Sequence, residues 1–304
     1  MIDSKAYQAE ILPKFGGNCI SLKHKASNMD VLRRPQSIKD IENSPLLYGM
    51  PLLFFPNRIA EGTFLFENRE YKWPINEPER NNHIHGALYK EPLKIIKQTA
   101  SSVTFEYVAT KDRPYLWFPH TFILRLTYTV NRTGLHQEVA ITNTSQENMP
   151  VALAFHTTFQ IPFITNGDVD DVRLKLPVDR EFLRDMAKLT PNEEYLNEFP
   201  QKEELNKGIL KPNEHNLSRF FSRTKGKSMV LTDTKSGWQV IYSADANYRF
   251  WMLWNGGHTH LLTVEHQSCM LDAFNIKNPK INKGIITLAP NKTIKLKTSI
   301  KIKK

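Results

Sequence analysis

Apolar and polar positions alternate along most of the chain. Residues 121–130, TFILRLTYTV, place Phe122, Leu124, Leu126, Tyr128 and Val130 on one parity. After the Asn131-Arg132-Thr133-Gly134 turn, residues 135–141 place Leu135, Val139 and Ile141 on one face. Two period-two runs flanking a short turn predict an antiparallel hairpin. Further strands are predicted at 93–98, 102–109, 150–156, 228–232, 238–242, 248–254, 260–265 and 284–288, with Gly, Asn, Asp and Pro clusters between them. The C-terminal run NKTIKLKTSIKIKK also alternates. Ile294, Leu296, Ile300 and Ile302 share one parity, and Lys295, Lys297, Lys301 and Lys303 share the other. That pattern is a half-buried strand with a lysine-rich, solvated outer face. Helix signals are confined to 36–43, 180–189 and 201–207. The last two lie in a polar stretch punctuated by Pro177, Pro191, Pro200 and Pro212. Many short strands at close intervals predict an all-β fold, a sandwich or barrel of antiparallel sheets rather than a βαβ protein.

Composition narrows this only a little. The chain has 304 residues, 40% hydrophobic and 24% charged, as in an ordinary globular protein. Its length suits two domains or one large β domain with additions. No stretch approaches the roughly 20 apolar residues of a membrane span. The start, MIDSKAYQAEILPKFGG, lacks the charged-then-apolar order of a signal peptide, so a cytoplasmic location is expected. Cys19 and Cys269 are too few for a disulfide framework or a cysteine zinc site. Lys plus Arg is 41 against 31 for Asp plus Glu, a formal charge of +10. No recognition-helix or RNA-binding pattern accompanies that charge, so it reads as solvation, with neither nucleic acid nor membrane as partner. GxGxxG, GxxxxGK[ST] and GxSxG are absent, which removes the main support for nucleotide-binding and serine-hydrolase readings.

Four segments put polar groups where a β protein favours apolar ones. In Phe54-Phe55-Pro56-Asn57-Arg58-Ile59, the arginine follows a buried-looking run and needs a partner, because an unpaired buried charge is costly. It is either a rim ion pair or a guanidinium that donates to ligand hydroxyls. In Asn82-His83-Ile84-His85-Gly86, an extended backbone would point both histidines the same way, and Gly86 would allow a close approach. In Val151-Ala152-Leu153-Ala154-Phe155-His156, the histidine interrupts an apolar run. It is either a satisfied core residue or a proton-transfer group. In Leu261-Leu262-Thr263-Val264-Glu265, the carboxylate ends an apolar strand, where burial raises its pKa toward that of a useful base. The competing reading locks Glu265 to a nearby cation. A metal site at His258, His260 and Glu265 fails on parity, since Glu265 falls on the opposite strand face from the two histidines without a bulge. No metal is expected.

Together these segments resemble one family, the aldose 1-epimerases or galactose mutarotase-like proteins. FPNRIAEGTFLFENREYKW is similar to the family's Asn-Arg segment and following hairpin. NNHIHG resembles its Asn-x-Leu-His-Gly segment, which aligns His85 rather than His83. FPHTFILRLTYTV and ITNTSQENMPVALAFHTTFQIPF resemble its strand, Asn-x-Ser turn and histidine motif, with His156 as the histidine; LTVEHQS resembles the strand ending in the family glutamate, here Glu265. Two departures stand out. Thr157-Thr158-Phe159-Gln160 replaces the usual Pro/Ser-Tyr-Phe-Asn. The segment His215–Phe220 stands where many members carry an aspartate before an aromatic, and has none.

The resemblance implies one large antiparallel β-supersandwich spanning residues 1–304, with few short helices and an open sugar cleft. It implies a metal-free and cofactor-free interconversion of α and β anomers of a free hexose, by a monomer or homodimer. Glu265 would be the base, His156 the acid, with Asn57, Arg58 and His85 binding substrate. Acid and base would stand about one sugar ring apart. Trp251 and Trp254 would be core or an apolar wall for the sugar. The alternatives are a hexose-6-phosphate 1-epimerase, using Arg58, Arg80 and Arg219, and a non-catalytic sugar-binding or regulatory protein.

Overall fold

The predicted 121–141 hairpin is the middle of an eight-stranded antiparallel sheet. In the computed structural model, which describes residues 1–226 and 228–304, strands Phe122–Asn131 and Gly134–Asn143 pair without interruption from Phe122 opposite Asn143 to Asn131 opposite Gly134. Phe122, Leu124, Leu126, Tyr128 and Val130 are all buried, and Arg125 on the other parity is exposed, as alternation requires. The lysine-rich strand Thr293–Lys303 pairs with Gly134–Asn143 on one side and Gln239–Ala244 on the other, so it is central in this sheet. Leu296, Ile300 and Ile302 are buried, while Lys295, Lys297, Lys301 and Lys303 are exposed.

The second large sheet runs in the order Pro191–Leu196, Val178–Arg184, Ser218–Arg223, Phe250–Trp254, Leu261–Gln267, Ala154–Phe155 and Leu52–Leu53, and Thr157–Gln160 also pairs with Leu261–Gln267. It shares one hydrophobic core with the first sheet. Every residue of Leu261–Gln267 is buried, so this strand is covered on both faces. A separate four-stranded sheet, Ile2–Asp3, Tyr7–Leu12, Asn18–His24 and Met29–Asp30, precedes both and was not predicted. The antiparallel supersandwich with two short helices agrees with the expected fold class. Among the described residues, no helix is long and apolar enough to cross a membrane.

Helices form where expected at Ile38–Asn43 and Lys202–Lys207. The Asp40 carboxylate accepts the Ser37 backbone N–H at the start of the first, and Gly208 in the left-handed region ends the second. The helix expected at 180–189 is a strand, Val178–Arg184, followed by a turn. Tertiary pairing explains the difference: Phe182 is held between Tyr195 and Phe220 on the flanking strands. The Asp185 carboxylate then accepts the Ala187 and Lys188 N–H groups, an Asx turn that competes with helix. The strand expected at 150–156 is broken into Met149–Val151, which pairs with Ile286–Leu288, and Ala154–Phe155 in the second sheet.

Candidate functional site

The five residues singled out for the site, Asn57, Arg58, His85, His156 and Glu265, line one cavity of about 380 Å³. His156 sits between the short strands Ala154–Phe155 and Thr157–Gln160, both of which pair with the Glu265 strand. Ala154 pairs with Gln267 and Thr157 with Val264, so His156 falls opposite Glu265 on one face. His156 Nε2 stands 3.6 Å from Glu265 Oε1. This is closer than the expected ring's width, because the two side chains are direct cross-strand neighbours.

Burial sets the charge states. The Glu265 carboxyl is pushed up to about 8, chiefly by desolvation, against a hydrogen bond from Gln267 Nε2 at 2.8 Å and the nearby Arg58 charge. The His156 imidazole is pushed down to about 4 by its own burial. Its Nδ1 is buried without a hydrogen-bond partner. Between these two values both groups are in their neutral forms, and the pair holds one proton. The reading of Glu265 as locked to a cation does not hold: among the described residues its close charged-type neighbour is His156.

The short pair of strands Arg58–Ala60 and Asn82–Ile84 supplies the opposite wall. Arg58 stands across from Ile84, and the next residue, His85, bends inward with a positive φ of 66°. That bend separates the two histidines, which do not share a direction. His83 packs edge-on against Trp73 and bonds the Pro74 carbonyl, while the His85 ring lies edge-on to His156 at 5.5 Å. The Asn57 backbone N–H donates to His85 Nδ1 at 3.1 Å, so neutral His85 carries its proton on Nε2. Burial, together with the neighbouring His156 and Arg58, holds the His85 imidazole well below its ordinary value. Gly86, also at positive φ, lies against the Phe54 carbonyl, where a Cβ would clash. The Asn57 side chain accepts the Arg58 N–H at 3.1 Å.

Of the two readings of Arg58, the ion pair is present. Its Nε and Nη2 donate to the Glu77 carboxylate at 2.8 and 2.7 Å, a bidentate pair with little exposure. Nη1 is outside that pair, and Arg58 still lines the cavity. Hydrogen bonds from Arg58 and Asn82 hold the Glu77 carboxyl low against its own burial. Asp272 accepts the Ala60 N–H and donates its own N–H to the Arg58 carbonyl, which pins this strand.

Several lining residues were not anticipated: Ser218, Met252, Leu46 and Leu189. Ser218 lies in the segment that lacks the aspartate. Arg184 donates to the Ser218 carbonyl, and its Nη1 is buried without a partner. Arg80 lines the cavity, but Arg219 is tied to Glu181 in a bidentate pair and does not line it. Trp254 is a wall of the cavity, whereas Trp251 is fully buried with its Nε1–H on the Pro177 carbonyl. Thr157 and Thr158 spend their hydroxyls on Tyr242 and Thr263. His258 and His260 line a different depression from Glu265. A partner for Arg58 was required on physical grounds, but nothing local in Asn76-Glu77-Pro78-Glu79 marked Glu77 as that partner.

The family model described as aldose 1-epimerase matches residues 1–301. A curated relative, the uncharacterized protein YihR of Escherichia coli K12, is 31% identical over 148 residues, covering 47% of this chain and 46% of YihR. A protein named "Probable aldose 1-epimerase" from Arthroderma benhamiae is 27% identical over 203 residues, covering 60% of this chain and 45% of that protein. The matched region thus spans about half the length of these curated relatives. Among solved structures, a galactose mutarotase-like protein from Clostridium acetobutylicum superposes with a TM-score of 0.91 at 29% identity, covering 98% of this chain and 93% of that one. The GalM/aldose epimerase homologue from C. elegans, at 19% identity, TM-score 0.77 and 99% and 97% coverage, shares the fold.

Proposed function

The chain belongs to the aldose 1-epimerase family, and from that premise we propose that it interconverts the α and β anomers of a free hexose by ring opening and reclosure. The observation that carries this reading is the His156–Glu265 pair, 3.6 Å apart at the base of a cavity that also presents His85, Arg58 and Asn57. At about 380 Å³ the cavity is at the small end of ligand sites.

The pair's opposed shifts mark an acid–base couple. Its reactive form is Glu265 carboxylate with His156 imidazolium, which carries the same single proton as the neutral pair. Sugar hydroxyls that donate to the carboxylate, together with the Arg58 charge, favour that form. Glu265 then takes the proton of the C1 hydroxyl while His156 Nε2–H gives its proton to the ring oxygen. The C1–O5 bond breaks and C1 becomes an aldehyde. Rotation about C1–C2 presents the other face, and reclosure returns both protons to their donors. Each such group contributes on the order of 10²–10⁴ in rate. His85 Nε2–H and Arg58 stabilise charge on the opening ring. No step needs a metal, so activity is expected to survive exhaustive chelation.

A second reading, a hexose with an anionic substituent, is favoured by one observation. Arg80 Nε and Arg184 Nη1 are buried without partners beside this cavity. Polarimetry of freshly dissolved α-glucose, α-galactose and α-glucose 6-phosphate tests all readings together. Acceleration of the neutral sugars supports the main proposal, and acceleration of the phosphate alone supports the second. A rate equal to buffer for every sugar tested, the phosphate included, would leave a sugar-binding protein without turnover.

A further inference from the structure

The turn after strand Val178–Arg184 holds a residue whose identity the fold does not require. Leu189 has a positive φ of 55°. That left-handed conformation suits glycine and asparagine and strains a branched apolar residue. Leu116 is also left-handed, at 48°, but it packs against the hydrophobic core. Leu189 is partly exposed and, among the described residues, is no part of that core. It lines the His156–Glu265 cavity instead.

The turn is held from both sides. The Leu189 N–H donates to the Asp185 carbonyl and the Asp185 N–H to the Thr190 carbonyl, both at 2.8 Å. The Asp185 carboxylate accepts the Ala187 and Lys188 N–H groups. From the opposite wall, Asn82 Nδ2 donates to the Lys188 carbonyl at 2.8 Å and to the Glu77 carboxylate at 2.9 Å. Both partners are acceptors, so only the NH₂ of the amide can face them. Asn82 is fully buried and its Oδ1 has no partner, so the amide stands there for its two donors. Glu77 in turn holds Arg58. Leu189 and Arg58 are thus tied by one chain of hydrogen bonds, and both face the cavity.

We infer that Leu189 is a specificity-determining residue, which confines the site to a single hexose ring and excludes reducing disaccharides. The inference rests on the epimerase reading and deepens it. At about 380 Å³ the cavity is small for a ligand site. His156 and Glu265 fix the ring that opens, so a second ring has to project toward the remaining walls. A branched side chain on a pinned turn cannot withdraw from it, and the clash rejects the larger sugar.

Polarimetry of fresh α-glucose, α-lactose and α-melibiose tests this on the full chain. Each has glucose at its reducing end, and the two disaccharides add a ring at C4 or at C6. For the native chain, kcat/KM is expected to be at least about tenfold lower for both disaccharides than for glucose. Leu189→Gly removes the side chain and keeps an unstrained left-handed turn. It is expected to narrow that gap about tenfold for at least one disaccharide, with an unfolding temperature unchanged or higher. Leu189→Asn also tolerates the turn, and it is expected to act in the same direction should the glycine variant fold poorly. Equal kcat/KM for glucose and either disaccharide in the native chain, or the native ratio retained in both variants, would overturn the inference and leave the epimerase reading standing. If no sugar is turned over, titration followed by tryptophan fluorescence reads the same selectivity, since Trp254 lines the cavity. Tighter binding of glucose that is lost in the variants then upholds the role of Leu189 while the epimerase reading falls. Equal binding of all three sugars, or none, overturns both.

Discussion

The central strand of the first sheet and the Glu265 strand of the second both carry ionisable groups, with opposite consequences. On the first sheet Glu138 sits on a solvated face between Lys295 and Lys297, at 2.9 and 3.2 Å. The hydrogen bond from Lys295 is the main cause that holds its carboxyl below the ordinary value. On the second sheet Glu265 lies in a strand covered on both faces, and burial pushes its carboxyl up to about 8. One-sided burial makes a charged residue a solvating group. Two-sided burial disfavours the charged form and leaves the carboxyl holding its proton at neutral pH.

The largest test of that contrast is catalytic. Glu265→Gln keeps the side chain's shape and removes the proton acceptor, so the turnover number for mutarotation is expected to fall on the order of 10²-fold or more. KM should change far less, because the amide oxygen still accepts a hydroxyl. Unfolding stability near neutral pH should rise, because folding must bind a proton at Glu265 there and the amide needs none. A variant that turns over normally at saturating sugar removes Glu265 from the mechanism. His156→Gln is expected to show a comparable loss of turnover.

Next in size is Glu77→Ala. It leaves Arg58 in place with its bidentate partner gone, at side-chain exposures of 12% for Arg58 and 9% for Glu77. Removing one member of a buried pair costs roughly 3–5 kcal/mol. Chemical denaturation measures that loss, and a rise in KM reports the misplaced guanidinium.

The pH dependence of stability follows from Glu265. Its carboxyl titrates near 4.5 when unfolded and near 8 when folded, while His156 moves from 6.5 down to about 4. Between pH 4.5 and 6.5 the two shifts oppose each other. Between 6.5 and 8 His156 is neutral in both states, and the folded chain binds one more proton than the unfolded one at Glu265. Stability therefore falls as pH rises across this window, by about 2 kcal/mol for one proton. Urea unfolding at pH 6.5 and 8 should show the fall in the native chain and not in Glu265→Gln. The smallest effect belongs to the solvated sheet. Glu138→Gln is expected to cost at most about 1 kcal/mol, since its partners are exposed lysines. A larger loss there would blur the contrast between the two strands.

The regular elements were legible in the sequence where alternation was strict. Phe122–Asn131 and the lysine-rich Thr293–Lys303 strand are plain because one face meets the core and the other meets water. The site residues were legible for the opposite reason. His156 and Glu265 interrupt apolar runs, and a polar group inside a strand buried on both faces must have a use or a partner. The residues around them carry no such signal. Ser218, Met252 and Leu189 are unexceptional where they stand in the chain, and Glu77 is one of several nearby carboxylates.

Periodicity, capping and charge placement are local, so the sequence by itself determined the fold class, the short helices at Ile38–Asn43 and Lys202–Lys207, and which polar residues break the pattern. Only the tertiary structure decided the rest. Pairing with Ser218–Arg223 and Pro191–Leu196 made a strand of Val178–Arg184 despite its helix-like spacing. The register of Ala154 with Gln267 and Thr157 with Val264 set His156 against Glu265 across more than a hundred residues of chain. Depth of burial, which depends on both sheets at once, then fixed which of the two holds the proton.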